Sequence, residues 1–114
     1  MNDMKLPEEL SILVGDGMFP DRSSLLSFCL AVGLFEGKRD SGFFGSMPED
    51  LTEWEIWPLV QLIVHDMDDT IVDMKQMRAF LLEYLNGGVS IVMERTRGKK
   101  GSRALKRIAD LLPP

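Results

Sequence analysis

Between Pro20 and Gly37 the chain carries Leu25, Leu26, Phe28, Cys29, Leu30, Ala31 and Val32 with scarcely a polar interruption. At about 100° per residue these side chains cover nearly the whole circumference of a helix. A water-soluble helix that is apolar all round belongs in the middle of a domain, with other elements packed on several of its sides. Pro20 and Asp21 open this stretch, and Ser23 is the expected cap, since its hydroxyl can accept a bond from a first-turn N–H. Gly33 and Gly37 lie four apart on one face, where they would let a neighbouring backbone approach. Lys38 and Arg39 follow at the exit, where positive charge suits the helix dipole.

The flanking sequence supplies the packing partners. Pro7-Glu8-Glu9 suits a helix start, and Leu10, Ile12, Leu13 and Val14 continue it to the stop at Gly15-Asp16-Gly17. A turn-rich loop from Ser41 to Pro48 brings Phe43 and Phe44 toward the core. The next helix is expected from Thr52, which has capping-box spacing to Glu55, or from Pro58 if that residue marks the true first turn. It ends around His65 to Asp69. Asp69 or Thr70 caps a further helix through Ile71, Met74, Met77, Leu81, Leu82 and Leu85, which Asn86-Gly87-Gly88 should stop. A fifth helix, Val89 to Arg97, follows, with a short strand competing at 89–92. Gly98 to Gly101 breaks it, and Ser102 caps a last helix with Leu105, Ile108, Ala109 and Leu112 on one face. The expected fold is all-α, a compact bundle of about five to six helices around the central apolar one, in a single domain spanning residues 1–114.

One cysteine excludes an internal disulfide and a multi-cysteine zinc site, and fits a reducing cytoplasm. No basic-then-apolar leader and no apolar run near 18 residues is present, so a cytoplasmic protein away from the membrane is expected. Eight methionines are many for this length and suit an adaptable self-association surface, hence an expected homo-oligomer.

Charge is unevenly placed. Residues 1–93 hold six basic and sixteen acidic side chains, whereas 94–114 hold seven basic and two acidic. Arg95, Arg97, Lys99, Lys100, Arg103, Lys106 and Arg107, joined by Lys38 and Arg39, form the candidate nucleic-acid or partner-binding set. They read as a strip for phosphates, with Gly98 and Gly101 allowing adaptation to a backbone. No aromatics are interleaved, so base stacking is not indicated. The competing readings are a solvated helix face, or an electrostatic contact with the acidic part of this chain or of a second copy.

Chemistry has little to build on. His65-Asp66-Met67-Asp68-Asp69 is the one cluster with metal or acid–base character, but a metal phosphohydrolase needs further histidines, and a calcium loop needs a longer ladder closed by Glu. A polar junction between helices is the simpler reading. Cys29 sits among apolar residues with no adjacent base, and no phosphate-binding glycine loop has the required spacing. No catalytic residue, metal or cofactor is expected.

The motifs Met18-Phe-Pro-Asp-Arg-Ser-Ser24, Leu30-Ala-Val-Gly-Leu-Phe-Glu-Gly-Lys-Arg39 and Glu83-Tyr-Leu-Asn-Gly-Gly88 give the chain a further likeness. In their order and spacing, from about residue 8 to 112, it resembles the dnd system-associated protein 4 family, small accessory proteins found with bacterial DNA phosphorothioation systems. The resemblance implies an antiphage, restriction–modification setting beside proteins that modify DNA or restrict unmodified DNA, and it transfers no catalytic residues. The expectation is thus a non-catalytic accessory or adaptor that meets other defence-system proteins and binds the DNA backbone without sequence preference. Leu6-Pro-Glu-Glu-Leu10 and Phe19 to Leu26 also look like a ribbon-helix-helix protein, whose N-terminal strand reads DNA. That resemblance implies the alternative, a sequence-specific DNA-binding regulator, although Met1 to Leu6 shows no clear strand alternation.

Overall fold

The computed structural model describes Leu10, Ser11, Val14 and residues 19–96. The apolar stretch forms α1, Arg22–Glu36, and its Leu25, Leu26, Cys29, Leu30 and Val32 are buried. Asp21, not Ser23, caps it: the Asp21 carboxylate accepts from the Ser24 N–H at 2.8 Å. Asp wins because its extended backbone already points the carboxylate at the first-turn amides, which leaves Ser23 free to turn elsewhere. Gly37 closes the helix in the left-handed conformation, φ 67°. The Lys38 N–H then bonds the Gly33 carbonyl at 3.0 Å, which completes a Schellman motif.

Of the two expected starts, Thr52 and Pro58, the helix takes the second: Glu49–Glu53 is a 3₁₀ turn, followed by extended backbone at Trp54 and then α2, Trp57–Met67, with Pro58 in its first turn. Pro58 explains the delay. With no N–H and a ring that collides with the carbonyl four residues back, it is accommodated in a first turn and not in an interior one.

The largest departure is α3, Met74–Thr96, a single helix of 23 residues. Asp73, not Asp69 or Thr70, starts it, accepting from the Gln76 N–H at 2.7 Å while the Gln76 side chain accepts from the Val72 N–H. The helix runs unbroken through Asn86-Gly87-Gly88, so the expected fourth and fifth helices are one, and the strand alternative at 89–92 is helix. Each helical glycine costs about 1 kcal/mol relative to alanine. Here that cost is offset by packing: a Cβ on Gly88 would sit 1.6 Å from the Cys29 carbonyl oxygen, and one on Gly33 1.9 Å from that of Tyr84. The glycines are thus the crossing point of α1 and α3, and Leu81, Leu85, Val89 and Val92 are fully buried around it. Gly37 has no part in this approach; nothing lies within 4 Å of a Cβ placed there.

Among the described residues the fold is therefore helical, with three α-helices and one 3₁₀ turn from Arg22 to Thr96, the expected fourth and fifth helices being one. Leu10, Ser11 and Val14 are also helical, and Leu10 is buried with the α1–α3 core. The last expected helix lies outside the described residues. No described helix is long and apolar enough to cross a membrane.

Candidate functional site

The loop from Lys38 to Ile56 is fastened to α3 at three places. Asn86, buried in α3, accepts from the Phe44 N–H at 2.9 Å and donates to the Phe44 carbonyl at 3.2 Å. Arg78 donates to the Pro48 carbonyl at 2.8 Å, and the Asp40 N–H bonds the Glu83 carbonyl at 3.0 Å. Phe44, Met47, Leu51 and Trp54 are buried as a result, and Phe43 is half-buried.

This fastening brings Asp50 to the N-terminal end of α1, where the Ser23 hydroxyl donates to its carboxylate across 27 residues of sequence. Asp21, Ser23, Ser27, Asp50, Glu53 and Trp54 contribute to the walls of a cleft of about 320 Å³. Burial pushes the Asp50 carboxyl up, but the Ser23 hydroxyl, the nearby Trp54 indole, its own backbone and the charge of Arg22 carry it below the usual carboxylate range. The indole N–H of Trp54 is buried without a hydrogen-bond partner of good geometry, so its pull on Asp50 is that of a nearby dipole. Nothing local predicts the Ser23–Asp50 pair, because Ser23 reads as a cap until the 3₁₀ turn is placed beside it.

The cationic set divides. Lys38 and Arg39 are exposed, immediately after the α1 cap. Arg39 is joined to Glu83 of α3 at 2.7 Å and lies 5.7 Å from the centre of the Tyr84 ring, so it has an acidic partner in the fold. A Cβ on Gly87 would meet the Lys38 carbonyl at 2.0 Å, so the backbone here is pressed against α3. Arg95 is exposed in the last turn of α3. Arg97, Lys99, Lys100, Arg103, Lys106 and Arg107 lie outside the described residues.

The polar junction after α2 has a local purpose. Asp68 accepts from both the side-chain hydroxyl and the N–H of Thr70, at 2.6 and 3.0 Å, and these bonds hold its carboxyl below the usual range. His65, Asp66 and Asp69 are exposed. Among the described residues no three His, Cys, Asp or Glu side chains gather closely enough to hold a metal ion. Cys29 is fully buried, and burial pushes its thiol up to about 12.

Two surface features of the acidic body are more telling. From Asp40 to Met74 the sequence holds nine carboxylates and no Lys or Arg. Within that stretch α2 buries only Val60 and Val64, and turns Leu59 and Leu62 outward at 57% and 69% exposure. Asp66 extends the same face by one turn, and Met67, Val72 and Met74 follow, all exposed. Of the methionines expected at a self-association surface, Met47 is in the core, and Met77 and Met93 pack against it. No family model matches the chain, and neither a curated protein nor a solved structure is significantly similar to it.

Proposed function

We propose that this protein is a non-catalytic accessory or adaptor in a DNA phosphorothioation-linked defence system, with its basic C-terminal segment touching the DNA backbone without sequence preference. The observation that carries the reading is the separation of charge. Residues 19–96 present thirteen carboxylates against six cations, while residues 97–114 hold six cations and one carboxylate. A duplex would be repelled by such a body and attracted only by such a segment. The defence setting rests on the family resemblance of the three motifs around Asp21, Gly33 and Gly88. Those motifs are the cap and crossing points of α1 and α3, and so belong to the scaffold that presents the surface. Affinity capture of the full tagged chain from its source cells tests the adaptor role. Co-recovery of proteins that modify or cleave DNA is expected; capture of none of them contradicts it.

A further inference from the structure

We draw no further inference here: the strongest candidate, the cleft between the N-terminal end of α1 and the 3₁₀ turn walled by Asp21, Ser23, Ser27, Asp50, Glu53 and Trp54, is a helix N-terminus lined with carboxylates in which nothing points to a ligand, since the unpartnered Trp54 indole N–H is sealed from solvent beside Asp50 and does not open into the cavity.

Discussion

Gly33 and Gly88 face each other where α1 crosses α3, each so close to the other helix that a Cβ would fall within 2 Å of a backbone carbonyl oxygen. Relief would require the two backbones to separate, because no flexible side chain stands in the way. Gly88→Ala or Gly33→Ala should therefore lower stability by at least about 3 kcal/mol, the upper part of the range for overpacked cores. Gly37→Ala, strained only by its positive φ of 67°, should cost about 1–2 kcal/mol. Urea melts of the three variants give the ranking, and a Gly88→Ala protein as stable as wild type would mean that the helices cross elsewhere.

Asn86 is the second linchpin of the fold, because it satisfies both backbone groups of Phe44 from inside a helix. Asn86→Ala leaves a buried N–H and a buried carbonyl without partners, at about 1–3 kcal/mol for a group so stranded. Native-state hydrogen exchange should show the Phe44 amide losing protection together with the loop from Ser41 to Glu55, ahead of the α1 amides.

Cys29 gives the stability a defined alkaline limit. The folded thiol is pushed up to about 12 by burial, against an ordinary value of 9.0. Above pH 9 the unfolded thiol loses its proton and the folded one keeps it, so the unfolded state binds fewer protons and stability falls as pH rises, until the folded thiol also ionises near 12. The slope is about 1.4 kcal/mol per pH unit. The stability difference between wild type and Cys29→Ala should be constant below about pH 8 and shrink between about pH 9 and 11, whereas a constant difference throughout would mean that the thiol is reached by water.

How much of this was legible in the sequence depended on whether the signal was local. The all-round apolar pattern of Leu25 to Val32 identifies the central helix because burial follows directly from side-chain chemistry, and Phe44 docks as its loop position suggests. Asn86-Gly87-Gly88 misleads for a physical reason. The same lack of a Cβ that suits a helix stop also suits a helix crossing, and only the position of Gly33 on α1 decides between them. Ser23 is likewise ambiguous: a capping side chain by sequence, it is claimed by Asp50 once the 3₁₀ turn is in place. The carboxylate-rich stretch from Asp40 to Met74 is plain in its composition, but that α2 turns Leu59 and Leu62 outward from it appears only in the fold.

The most direct measurement for the functional proposal is the affinity of the full chain for a random-sequence duplex as a function of salt. Each phosphate neutralised contributes about 0.9 to the slope of log affinity against log salt, and some three or four of the seven cations between Arg95 and Arg107 can meet one backbone, so a slope of roughly −3 is predicted. The tail variant Lys99→Gln, Lys100→Gln, Arg103→Gln, Arg107→Gln should lose retention with an unchanged melt, and duplexes of different sequence should bind alike. Absence of binding at low salt, a slope near zero, or strong preference for one sequence would contradict the account.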